Sequence, residues 1–231
     1  MPMQRRELLN TCGALSVAVL AGVQVAEAAE SRYCSPEDPL QALMEGNRRF
    51  SRAWQDAATN PSTDLSVQLH GNRCFNPPGD LIDGQQPWAT VLTCADSRVS
   101  PSWIFDTTPG ELFVIRNAGN TAFTEAIASV EYSVSVLNTP LVMVMGHSGC
   151  GAVTSAMGGD DLTPSLERLL SPIREQISDS TTLDEAIRRN ARGTAAKLLK
   201  QSDLLSQAEA DGRMRLVVSC FDLTSGAVIL I

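Results

Sequence analysis

Four short apolar runs punctuate the chain, over residues 88–93, 112–116, 141–145 and 213–221. Two of them, 88–93 and 141–145, are almost continuously hydrophobic, as parallel strands covered on both faces require. Between the runs the apolar spacing changes to a helical period. In 121–137 it sets Ala126, Ile127, Val130, Val134 and Leu137 on one side. In 36–54, Leu40, Leu43, Met44, Phe50 and Trp54 share a face behind the start signal Ser35-Pro36-Glu37-Asp38. Residues 101–105, 149–157, 163–177 and 182–202 read as further helices, and 227–231 as a short closing strand at a sheet edge. Residues 60–83 are polar and rich in Pro, Gly and Asn, with Asn76-Pro77-Pro78-Gly79 as a turn cluster. Strands alternating with helices predict a single α/β domain. Its central, mainly parallel sheet has about four parallel strands plus one antiparallel edge strand, flanked by helices, with an N-terminal helical extension.

Length adds that one core suffices: 231 residues with 43% hydrophobic content form one good-sized domain. A net charge of −8 with no basic run argues against nucleic acid as a partner. Residues 1–28 have the grammar of an export leader. Arg5-Arg6 precede a short small-residue and apolar segment, and Ala26-Glu27-Ala28 offers a cleavage site. The arginine pair makes it twin-arginine-like, although Gln4 and Leu8 depart from the usual residues. The apolar segment is shorter than the ~18 residues of a membrane span. The expectation is therefore a cleaved leader, a mature domain over 29–231 with no stable membrane span, and export to the periplasm or, in an organism with thylakoids, their lumen.

The candidate chemistry lies directly after the two most apolar runs. Thr93-Cys94-Ala95-Asp96-Ser97-Arg98 follows the first, and Gly146-His147-Ser148-Gly149-Cys150-Gly151 follows the second. Carboxyl ends of parallel strands are where α/β sheets gather their ligands. Cys94, His147 and Cys150 then supply three ligands of a softness and number suited to a catalytic zinc with one open position. Asp96 can take the fourth position in a closed state or leave it to water. Arg98 is placed to form a bidentate pair with the Asp96 carboxylate and hold it off the metal.

These segments, Cys94-Ala95-Asp96-Ser97-Arg98-Val99 and Gly146-His147-Ser148-Gly149-Cys150-Gly151-Ala152-Val153, closely resemble the two signatures of the β-class carbonic anhydrases. The stretch from Pro109 through Arg116-Asn117-Ala118-Gly119-Asn120, and Ser129-Val130-Glu131-Tyr132, are also similar to that family. The resemblance runs from about Pro39 to the C terminus. It implies one Zn2+ per subunit and reversible hydration of CO2 to bicarbonate and a proton, by attack of zinc-bound hydroxide with Asp96 and Arg98 as a catalytic dyad. It further implies substrate contacts from Gln85, Phe113, Ala118, Tyr132 and Gly151. It also implies a homodimer or higher homo-oligomer, with the N-terminal helix packed across a partner and the pocket near the subunit interface. Val91 and Val99 stand where bicarbonate-regulated relatives have Trp and Ala, so the open form of the site is expected.

Other readings fare less well. Gly146-His147-Ser148-Gly149 resembles a nucleophile elbow, but Cys150 replaces its last glycine and no histidine follows Ser148. No glycine-rich dinucleotide fingerprint opens a helix after a strand. Two alternatives keep the metal site: a hydrolase of a related small molecule such as COS or CS2, and a non-catalytic zinc-containing assembly subunit. Of the two histidines, only His70 is left over for proton transfer, and an ordinary surface role suits it better. Cys34 and Cys74 are candidates for a disulfide, and Cys220 for a buried, inert thiol. Arg188, Arg189, Arg192, Lys197 and Lys200 read as a solvated helix face.

Overall fold

The two most apolar runs become the centre of the sheet. In the computed structural model, which describes residues 34–60, 62–65, 76–158, 162–180 and 182–231, β1 (Ala89–Cys94) and β3 (Leu141–His147) are buried along their whole length. They are flanked by β2 (Leu112–Asn117) on one side and β4 (Arg215–Phe221) on the other. The short β5 (Val228–Leu230) adds to β4. The strand order is β2-β1-β3-β4-β5; the first four are parallel and β5 is antiparallel to β4. The described residues belong to one compact unit, Arg32–Ile231. The expected leader, His70 and Cys74 lie outside the described residues.

Side chains alternate across this sheet. Ala89, Val91, Leu141, Met143 and Met145 pack with α1 (Pro39–Thr59) through Leu40, Leu43, Phe50 and Ala53, and with Ile104 and Phe105 around α3 (Pro101–Ile104). Leu92, Val142 and Val144 face the other way. They meet α4 (Thr124–Ser135), α7 (Leu183–Gln201) and α8 (Asp203–Ala210) through residues such as Val130, Leu198 and Leu205. A third apolar cluster closes the carboxyl end of the sheet: Val153 of α5 (Gly151–Met157), Leu170 and Ile173 of α6 (Pro164–Ile177), and Ile187 surround Cys94, Cys150 and Cys220. A short α2 (Pro78–Asp83) precedes β1. Burying each Leu, Ile or Met in these layers contributes roughly 1.5–3 kcal/mol.

Helix boundaries follow capping chemistry. The Asp38 side chain accepts the Gln41 N–H at 3.0 Å, so α1 starts at Pro39, three residues later than the apolar spacing alone suggests. The region expected to be one helix ending at Ser202 is followed at once by a second. Ser202 adopts an extended conformation (φ −134°, ψ 106°) that ends α7, and its hydroxyl accepts the Leu205 N–H to start α8. Two arginines of α7 are charge-paired on its surface, Arg188 with Asp184 and Arg189 with Glu185, each at 2.8 Å. Among the described residues, no helix is long and apolar enough to cross a membrane.

Candidate metal centre

Cys94 is the last residue of β1, His147 the last of β3, and Cys150 caps the start of α5. Because β1 and β3 are neighbouring parallel strands, their carboxyl ends lie side by side. The two sulfurs are 3.9 Å apart, and the Cys94, His147 and Cys150 ligand atoms all lie within 4.8 Å of one another. All three residues are buried. The His147 ring is fully buried, and its Nε2 has no hydrogen-bond partner, whereas Nδ1 lies 3.0 Å from the Ser148 carbonyl oxygen. A carbonyl only accepts, so Nδ1 carries the hydrogen and Nε2 presents its lone pair. A buried nitrogen with no partner, facing two soft sulfurs, fits a thiophilic divalent cation such as zinc.

The thiols are electrostatically unequal. The Cys94 thiol is held well below its ordinary range, chiefly by the Cys150 thiol, with help from the His147 ring and the Gly119 N–H against the opposing effect of burial. Cys150 is pushed up by the same contact with Cys94 and by its own burial. The Gly119 N–H donates to the Cys94 sulfur at 3.3 Å. Gly119 is left-handed (φ +76°), a conformation that favours glycine, and an added Cβ would lie 2.5 Å from Ile173 Cδ1 and 3.2 Å from Ala152 Cβ. On the other side of this turn, Asn190 of α7 donates to the Gly119 carbonyl at 2.8 Å.

Asp96 stands beside this cluster and outside it. Arg98 grips it by Nε to Oδ1 at 2.9 Å and Nη2 to Oδ2 at 2.6 Å, and the Arg98 backbone N–H adds a third bond at 3.0 Å. Asp96 Oδ2 is 3.9 Å from His147 Nε2. The Arg98 hydrogen bond holds the Asp96 carboxyl well below the usual carboxylate range, so it is ionised at neutral pH. Arg98 Nη2 also reaches the Gly149 carbonyl at 3.3 Å, tying the two signature loops together.

One functional residue carries no role in the sequence reading. Arg116 of β2 donates from Nε to the Cys94 carbonyl at 3.0 Å and from Nη2 to the Asp96 carbonyl at 2.7 Å. It therefore fixes the backbone on both sides of Ala95. Its only signal in sequence is its place just before Asn117-Ala118-Gly119-Asn120. Asn117 itself folds that turn, with Oδ1 accepting from the Thr121 N–H at 2.7 Å.

The residues expected at the substrate divide into two groups. Ala118 and Gly151 adjoin the site, next to Asn117 at the end of β2 and next to Cys150. Gln85 is exposed ahead of β1, and Phe113 pairs in register with Thr90, four residues before Cys94. At ~3.3 Å per strand residue, that places Phe113 about 13 Å back along the sheet from Cys94. Phe113 packs against Tyr132 of α4, ring centroids 6.1 Å apart. One chain does not bring Gln85, Phe113 and Tyr132 to the Cys94 end of the sheet. Among the remaining cysteines, Cys34 is disulfide-bonded, and Cys220 is a buried free thiol pushed up to about 11 by burial.

A parallel α/β sheet with thiol, imidazole and thiol at its carboxyl edge, and a carboxylate held by arginine beside them, defines an α/β protein with a candidate single-metal site. Comparison with known proteins makes the class specific. A family model described as carbonic anhydrase matches residues 89–228. The chain is 32% identical over 207 residues to carbonic anhydrase 2 of Mycobacterium tuberculosis, covering 85% of this chain and 93% of that protein. In structure it is similar to the β-carbonic anhydrase CafA of Aspergillus fumigatus, with a TM-score of 0.59 and 25% identity over 84% of this chain and 91% of that one. A tetrameric β-carbonic anhydrase of Sordaria macrospora shares the fold, with a TM-score of 0.59 and 23% identity over 83% of this chain and 95% of that one. The chain belongs to the β-class carbonic anhydrase family.

Proposed function

We propose that the protein catalyses the reversible hydration of CO2 to bicarbonate and a proton, with one zinc ion per subunit held by Cys94, His147 and Cys150. The observation that carries this reading is the clustering of two thiol sulfurs and the His147 ring within 4.8 Å, with His147 Nε2 buried and unpartnered. Zinc bound in such a site lowers the pKa of water from ~15.7 to near 7 and so supplies a nucleophile at neutral pH. Asp96, ionised and pinned by Arg98, would accept a hydrogen bond from that nucleophile and so orient it toward CO2. Arg98 keeps the Asp96 carboxylate from closing the site, and Arg116 holds the loop that carries both. The Cys94 and Cys150 sulfurs are buried in an apolar cluster with Val153 and Ile173, which limits competing solvent.

Gln85, Phe113 and Tyr132 act on substrate only from a second subunit, because within one chain they sit at the opposite end of β1 and β2. The exposed Val114, Tyr132 and Val136 at that end offer a partner an apolar surface. This supports a homodimer or higher homo-oligomer, in line with the tetrameric relative. We place the mature domain at 29–231, with residues 1–28 as a cleaved, twin-arginine-like leader that exports the folded protein to the periplasm or a thylakoid lumen. Twin-arginine export suits a thiolate site, which can take up zinc in the reducing cytosol before it meets an oxidant.

The test is a CO2 hydration assay on the purified protein beside its Asp96→Asn variant, with zinc content measured in both. Hydration by the parent, and its loss in a variant that keeps zinc, is the expected result. Sulfide release from COS or CS2 without CO2 hydration would move the assignment to the related hydrolase. Zinc without either activity would make the chain a non-catalytic assembly subunit.

A further inference from the structure

His147 presents Nε2 to the thiols only because Nδ1 is committed to the Ser148 carbonyl, and Ser148 is held from three directions. Its N–H donates to the Phe221 carbonyl at 2.9 Å, its hydroxyl donates to Asp222 Oδ1 at 3.3 Å, and the same hydroxyl accepts the Leu223 N–H at 2.9 Å. All three partners belong to the end of β4 and the turn that leads into β5.

That turn is closed on itself. The Asp222 carboxylate accepts from the Thr224 N–H at 3.0 Å, from the Ser225 N–H at 3.3 Å and from the Ser225 hydroxyl at 2.6 Å. It is then clamped from outside by α1. Buried Asn47 donates to the Gly226 carbonyl at 3.0 Å and accepts the Val228 N–H at 2.8 Å. The Ser51 hydroxyl donates to the Ser225 carbonyl at 2.8 Å, and the Trp54 indole N–H to the Leu223 carbonyl at 3.1 Å. Gly226 is left-handed (φ +69°), and an added Cβ would lie 2.9 Å from Trp54 Cβ and Cγ, so helix and turn are in direct contact.

We infer that Ser148, the 222–226 turn and α1 form a positioning relay that presets the tautomer and ring orientation of His147, and so controls how firmly the site holds its metal. The inference rests on the proposed reading that Cys94, His147 and Cys150 bind zinc. Ser148 lies outside the Cys94, His147 and Cys150 set and acts only through His147. Outer partners of a metal-bound histidine are typically worth 10–100-fold in metal affinity. This chain gains its outer partner from a residue that a nucleophile-elbow reading would have made catalytic.

The test follows zinc transfer from the loaded full-length protein to a chromophoric chelator, with circular dichroism confirming the fold. Ser148→Ala is expected to release zinc ~10–100-fold faster. Ser148→Thr, which keeps a hydroxyl at that position, is expected to stay within about twofold of the parent. Ser51→Ala, far along the relay, is expected to speed release severalfold alone and to add nothing in the Ser148→Ala background, because both changes cut one chain of contacts. A purely structural role for the turn would lower the melting temperature without this non-additivity. Release from Ser148→Ala at the parental rate, or effects of Ser51→Ala and Ser148→Ala that multiply, would overturn the relay. A parent protein that binds no zinc would instead remove the metal reading itself.

Discussion

The two ends of the central sheet are built on opposite plans. At the carboxyl end the polar groups of the signature loops are tied down within the chain. Arg98 and Arg116 clamp the Asp96 loop, Gly119 serves the Cys94 sulfur, and His147 Nε2, the nitrogen that would bind a metal, is buried without a partner. At the amino end Gln85 is exposed, Phe113 and Tyr132 pair with each other, and Val114 and Val136 face solvent. Reactive geometry is preorganised inside one subunit. The surface proposed to meet substrate is, by contrast, left exposed at the other end.

This contrast can be broken at either end. The largest effect is expected from Cys150→Ser, which replaces a soft thiolate by a poor zinc ligand: metal content measured after purification should fall to near zero, and hydration with it. Asp96→Asn comes next. It keeps all three ligands and should retain full zinc while losing roughly 10²–10³-fold in kcat, as stopped-flow CO2 hydration would show. Arg116→Ala removes two hydrogen bonds to the Cys94 and Asp96 carbonyls. A 1 Å misplacement can cost up to about 10²-fold, and with Arg98 still in place the expected loss in kcat is nearer ~10-fold, with zinc retained. The smallest effect is expected at the amino end: Tyr132→Ala should leave zinc and fold untouched, loosen the oligomer in sedimentation, and lower kcat/KM severalfold. If Tyr132→Ala instead released zinc, the separation of the two ends would be wrong.

What the residues disclosed in advance was whatever is local. Continuous apolar runs revealed β1 and β3, and the cluster of Cys94, His147 and Cys150 was legible because a parallel sheet brings adjacent strand ends together. Capping moved boundaries by a few residues, as at Asp38. Ser202 hid a whole helix, since it terminates α7 and initiates α8 in one position. The partners delivered by tertiary structure were invisible. Asn190 lies 71 residues from the Gly119 carbonyl it orients, and Asp222 lies 74 from Ser148. Nothing in their local sequence marks either. The expected substrate contacts show a different limit: the family resemblance implied Gln85, Phe113 and Tyr132, while strand register sets them a strand's length away within one chain.

X-ray absorption at the zinc edge of the purified full-length protein tests the central claim most directly. The account predicts one zinc per subunit with two sulfur neighbours and one imidazole nitrogen, and the loss of one sulfur neighbour or of the metal in Cys150→Ser. A zinc shell without sulfur, or a protein free of zinc yet fully active on CO2, would contradict it.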